Sequence, residues 1–101
     1  GTANGAVELY YDNSKKLATA SDGITVYGRI AADELDMGDD EKVKLGASDD
    51  IQIFHDGSVN RFLLDGETYF NNKANSECFI ITKTNGAVEL YHDGSKKLEQ
   101  C

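Results

Sequence analysis

The chain has 101 residues and a formal net charge of -8, with 18 acidic against 10 basic residues, 10 Gly and neither Pro nor Trp. That length predicts one domain with a thin core, since folding would bury only roughly two-thirds of the surface the unfolded chain exposes. The acidic balance, with Lys and Arg nowhere clustered, excludes a nucleic-acid groove, and no apolar run approaches the roughly 20 residues needed for membrane insertion.

Along the chain, short runs alternate β-branched or aromatic residues with polar ones, separated by Asp-Asn, Asp-Gly and Asn-Gly punctuation, which predicts an all-β fold of short strands and tight hairpins. The opening NGAVELYYDNSKKL, residues 4–17, reads as a hairpin that turns at Asp12 and Asn13 and returns as SKKLAT, because Asp followed by Asn or Gly suits a two-residue type I′ turn. Strand alternation puts Val7, Leu9 and Tyr11 on one face and Glu8 and Tyr10 on the other. GITVYGRI follows as a strand. The segment AADELDMGDDE, residues 31–41, reads as an acidic loop rather than a helical turn, and KVKL as a further strand.

Residues 48–58 hold a second, weaker copy of the opening phrase, IQIFHDGS from Ile51. Ile51, Ile53 and His55 share its packing face, Gln52 and Phe54 lie opposite, and Asp56 and Gly57 make its turn. After ETYF and CFIIT comes the third copy, NGAVELYHDGSKKL, residues 85–98, with Val88, Leu90 and His92 on the packing face and a turn at Asp93 and Gly94. Only two of its 14 positions differ from the first copy, Tyr11 against His92 and Asn13 against Gly94. Repetition of this kind marks an array of supersecondary units, none able to bury its face alone. The whole chain, 1–101, is thus read as one repeat-derived β module and as an excerpt of a longer tandem protein. An aromatic ring stands beside the turn on the polar face of every copy (Tyr10, Phe54, Tyr91), where stacking between repeats or between chains would cover it.

Searches for chemistry lead away from catalysis. In His55-Asp56-Gly57-Ser58 and His92-Asp93-Gly94-Ser95 the neighbours of a strand point to opposite faces, and a turn Asp bonds its own backbone, so no catalytic triad forms. The expectation is a protein that is not an enzyme and uses no cofactor. His55 or His92 facing a three-fold axis would be the one route to a metal site. The acidic residues from Asp33 to Glu41 do not match a Ca²⁺ loop. Cys78 reads as a small buried hydrophobe, and Cys101 offers no framework partner.

The phrases NGAVELYYDNSKKL, ATASDGITVYG, KLGASDDIQIFHDGS and NGAVELYHDGSKKL resemble tandem-repeat tail-fibre and other virion structural proteins of bacteriophages, especially those of marine cyanobacteria. The resemblance implies a virion-located fibre segment, a homotrimer of interwoven β structure whose partner is itself, with host surface polysaccharide or protein as the outside contact. A structural scaffold and a receptor- or carbohydrate-binding module are the two roles it leaves open. For the second, Tyr27, Tyr69 and Phe70 are the exposed aromatics to consider, while the absence of Trp favours the first.

Overall fold

A computed structural model describes residues 5–100, so Asn4 and Cys101 fall outside the described residues. The described chain is all-β, with ten strands in three antiparallel sheets and no helix. It divides into two compact units, the first ending at Asp36 and the second beginning at Met37.

The first unit is a meander of β1 (Glu8–Tyr11), β2 (Ser14–Ala20) and β3 (Gly23–Val26). Leu9 lies opposite Leu17, which lies opposite Val26, and Thr19 lies opposite Ile24. Val7 extends the sheet, with Thr19 N donating to Val7 O (3.0 Å) and Val7 N to Thr19 Oγ1 (2.8 Å). Period-two alternation therefore gathers Val7, Leu9, Leu17, Ile24 and Val26 on one face.

The second unit holds two sheets. One is β4 (Val43–Leu45), β5 (Ile51–His55) and β6 (Asn60–Leu64), with β5 central. The other contains β7 (Thr68–Asn71), β8 (Cys78–Thr82), β9 (Val88–His92) and β10 (Ser95–Gln100), in the order β10-β9-β8-β7. Residues 31–41 contain no strand or helix. β6 is not legible as an alternating run, because Asn-Arg-Phe-Leu-Leu ends in three adjacent apolar residues, the middle one, Leu63, facing away from Phe62 and Leu64.

Turn stereochemistry separates the outer copies from the middle one. Asp12 and Asn13 have φ of 54° and 65°, and Asp93 and Gly94 have 50° and 75°, the pair of positive φ values that a type I′ turn requires. In the middle copy His55 pairs with Asn60, so four residues, Asp56 to Val59, make the connection and the two-residue turn expected there does not form. Of its Asp-Gly pair only Gly57 has positive φ. The Asp56 carboxylate accounts for the difference, since Oδ1 accepts from the backbone N–H of Ser58 and of Val59, both at 2.9 Å, and holds a wider loop.

Both outer hairpins also carry a β-bulge at the same place. Tyr10 pairs with Lys15 and Leu9 with Leu17, leaving Lys16 extra; Tyr91 pairs with Lys96 and Leu90 with Leu98, leaving Lys97 extra. A bulge inserts one residue without turning the strand over. The doubled lysine is thereby absorbed, and in the first hairpin Leu17 returns to the face of Leu9.

Little is enclosed. Ala18 and Ile81 are the buried apolar residues among those described, and no large side chain is fully buried. Two separately compact bodies of these sizes would together expose about 6700 Å² by area–mass scaling. The chain exposes 8463 Å².

Candidate functional site

Each sheet has an apolar face on which at least one large side chain stays exposed. In the first sheet it is the Val7, Leu9, Leu17, Ile24 and Val26 face, on which Leu9 remains 56% exposed. In the second, Val43, Ile53 and Phe62 line up across the strands, as do Leu45, Ile51 and Leu64, and Phe62 is 66% exposed. In the third, Phe70, Ile80 and Leu90 align beside Thr82 and Val88, with Phe70 and Val88 exposed. The residues expected from the sequence to pack (Val7, Leu9, Ile51, Ile53, Val88 and Leu90) lie on these faces. Ile51, Ile53 and Leu90 are half-buried there, while Val7, Leu9 and Val88 are exposed. Tyr11, His55 and His92, at the strand ends, are all exposed.

The opposite faces of the outer hairpins carry a polar clasp that the sequence reading missed. In the first, Lys15 Nζ meets Glu8 Oε2 at 2.7 Å and the Tyr10 hydroxyl donates to Glu8 Oε1 at 3.3 Å. In the third, Lys96 Nζ meets Glu89 Oε2 at 2.9 Å and the Tyr91 hydroxyl donates to Glu89 Oε1 at 3.1 Å, with Lys83 Nζ adding a longer contact of 3.7 Å. The signal was present as Glu, Tyr and the first Lys of the doublet at equivalent places in both copies.

Surroundings set the electrostatics of each clasp. The Lys15 ammonium, bonded to Glu8, holds that carboxyl below its ordinary value, and Glu8 in turn raises Lys15. Burial, then the Glu89 carboxylate, pushes the Tyr91 phenol up. In the middle copy Gln52 stands in for the glutamate and Phe54 for the tyrosine, so no clasp can form. The Phe54 ring is half-buried, with Lys42 Nζ 4.8 Å from its centroid. Tyr91 is half-buried as well and Tyr10 exposed, so of the three rings expected to be covered by another repeat or another chain, two are partly covered within this chain.

Arg61 has another role. Its Nε donates to Asp56 Oδ2 at 2.5 Å, closing the wide loop. The Val59 N–H, Arg61 and the Ser58 N–H together hold the Asp56 carboxyl well below the usual carboxylate range. His55 Nδ1 sits 2.7 Å from Asn60 Oδ1, and His92 Nε2 lies 3.4 Å from Asp93 Oδ2 in an exposed position. Among the described residues no three His, Cys, Asp or Glu side chains stand close enough to hold a metal ion, so a site using either histidine would have to draw ligands from other chains.

An open cleft of about 190 Å³ in the second unit is lined by Asp49, Asp50, Gln52, Leu64, Asp65 and Thr84. Lys44 Nζ lies 3.6 Å from Asp49 Oδ2 and offsets part of its charge. Of the candidate sugar-binding aromatics, Tyr69 and Phe70 are exposed but adjacent in β7, so they point to opposite faces and make no shared platform. Tyr27 is exposed beneath Lys15 Nζ, 5.9 Å from its ring centroid. No helix is long and apolar enough to cross a membrane among the described residues. No protein-family model, curated protein or solved structure matches the chain.

Proposed function

We propose that this chain is a structural β module of a bacteriophage tail fibre or related virion protein, whose work is to build an oligomeric scaffold by packing its apolar faces against other copies. One observation carries the reading: three sheets, each with an apolar face on which a large side chain, Leu9, Phe62 or Phe70, stays at least half exposed among the described residues. Exposed apolar area on this scale marks interaction surfaces in proteins that stay soluble. The polar clasps on the reverse faces fit the same scheme, since they fix the hairpins while leaving the apolar sides free for association.

Three copies is the expected number, by resemblance to fibre proteins. The molar mass in solution tests it, by light scattering on purified protein. Three chains of 11.0 kDa give a particle of about 33 kDa. A folded species of one chain's mass at high concentration would refute the scaffold reading.

A further inference from the structure

We propose that β3 is a self-pairing edge, through which two copies of this chain join their first sheets into one six-stranded sheet about a two-fold axis at Thr25. The three sheets have six edge strands. Natural edges are blunted by charge or by bulges, which stop them from templating another chain. β1 carries Glu8, β4 carries Lys44, β6 carries Arg61 and β10 carries Lys96 and Lys97, while β7 is uncharged but its ladder is broken after Phe70, where Phe79 of β8 is the extra residue. β3, Gly-Ile-Thr-Val, has neither charge nor bulge, and Ile24 is 65% exposed.

The hydrogen-bond phase shows which groups that edge offers. Tyr27 N donates to Lys16 O at 2.9 Å, towards β2. Successive strand residues turn their backbone groups to alternate sides, so Gly23 and Thr25 also face β2, and the N–H and C=O of Ile24 and Val26 face outward. The other side of the sheet agrees: Thr19 N is spent on Val7 O, which leaves Ala18 and Ala20 to serve Thr25 and Gly23.

Antiparallel pairing of two such edges has a register that satisfies every outward group. Ile24 of each copy stands opposite Val26 of the other as a hydrogen-bonded pair, giving four bonds, and Thr25 meets Thr25 of the second copy at the axis as the closely spaced non-bonded pair. Ile–Val and Thr–Thr are favourable cross-strand neighbours. Because the register keeps side chains on their own sides, the two apolar faces join into one. The flanks also complement each other. Asp22 precedes the strand and Arg29 follows it, so antiparallel docking brings each Asp22 towards the Arg29 of the other copy. In a chain of net charge -8 this neutral edge is where two copies meet with least repulsion.

Disulfide trapping tests the pairing. In a chain with Cys78 and Cys101 replaced by Ser, Thr25→Cys puts two thiols at a non-hydrogen-bonded pair with Cα atoms about 4.5 Å apart, within the range a disulfide spans. Mild oxidation is expected to yield a covalent dimer from Thr25→Cys and little from Ile24→Cys, whose thiol faces Val26. In the unsubstituted protein the amides of Ile24 and Val26 should gain exchange protection as concentration rises, while that of Thr25, bonded to β2, stays constant. No dimer from Thr25→Cys, equal cross-linking at both positions, or concentration-independent exchange would each overturn the proposal. Trimers that fail to cross-link at Thr25 would uphold the packing of faces and reject the edge; cross-linked dimers without trimers would do the reverse.

Discussion

Glu8 and Glu89 occupy equivalent places in two copies of one hairpin, yet the Glu8 side chain is 37% exposed and that of Glu89 only 5%. The cause is the strand alongside: β9 has β8 next to it, with Ile81 opposite Glu89, whereas β1 is an edge. Removing one partner of a buried ion pair strands the other charge, whereas an exposed pair is worth little. In the third sheet the buried charge is Glu89, since Lys96 stays 41% and Lys83 38% exposed, so Lys96→Ala is expected to lower unfolding free energy clearly more than Lys15→Ala does in denaturant titrations; equal losses would mean that burial does not set the strength of the clasp. The signs of the shifts set a pH window for the outer pair. Glu8, lowered in the fold, contributes above the ordinary glutamate value of 4.5 and loses that contribution as acid protonates it. Lys15, raised in the fold, contributes below the ordinary lysine value of 10.5 and loses it as base removes its proton. Asp56 is lowered as well, so its loop is held at neutral pH and released only in strong acid. Asp56→Ala should lower the melting temperature at pH 7 by several degrees, Asp56→Asn by less because an amide oxygen still accepts from Ser58 and Val59, and both differences should shrink towards pH 2.

At the scale of the element, the doubled lysine decides how the outer hairpins close. Lys16 is the extra residue of its bulge, so deleting it would leave Lys15 opposite Tyr10 and the leucine opposite Leu9 in an unbroken ladder. Deletion of Thr19 would instead turn Ala20 to the wrong face and break the pairing of Thr19 with Ile24 and of Ala20 with Gly23 that joins β2 to β3. The Lys16 deletion should melt within a few degrees of the parent and keep its strand circular-dichroism spectrum, while the Thr19 deletion should lose cooperative unfolding. If the two behave alike, the bulge does not carry the register. This contrast also separates what the sequence made legible from what it hid. Asp12-Asn13 and Asp93-Gly94 announce their turns because positive φ restricts residue choice to a few types. Asp56-Gly57 has the same letters but a different outcome, because side-chain bonds from Ser58, Val59 and Arg61 compete with the backbone turn. The clasps were hidden for a related reason: Glu8 and Lys15 stand seven apart along the chain and become neighbours through the turn at Asp12-Asn13, which sets Lys15 opposite Tyr10 on the face of Glu8, a cross-strand pairing that alternation within one strand does not foresee.

At the scale of the molecule, the alternation that revealed the apolar faces could not say what covers them. Covering depends on how sheets and chains stack, whereas alternation is a property of a single strand. A face built for another copy and a face needed for the chain's own fold make opposite predictions under charge substitution. Leu9 and Phe62 are 56% and 66% exposed, so they lend the isolated chain little packing. Leu9→Asp and Phe62→Asp should therefore leave strand content and cooperative unfolding of dilute protein nearly unchanged, while shifting the particle mass from the oligomer towards one chain. A carboxylate carried into a packed apolar interface loses its water without gaining a partner, at a cost of several kcal/mol per site. With one such site on every copy, the penalty is repeated around the assembly, so one substitution should suffice to dissociate it. Ile81→Asp supplies the contrast: its side chain is buried in the chain beside Glu89, and a second carboxylate there should unfold the second unit whatever the oligomeric state. If Leu9→Asp and Phe62→Asp unfold the dilute chain as Ile81→Asp does, the open faces are part of the monomer's own core and the scaffold reading fails. If they keep both fold and oligomer mass, those faces are not where copies meet.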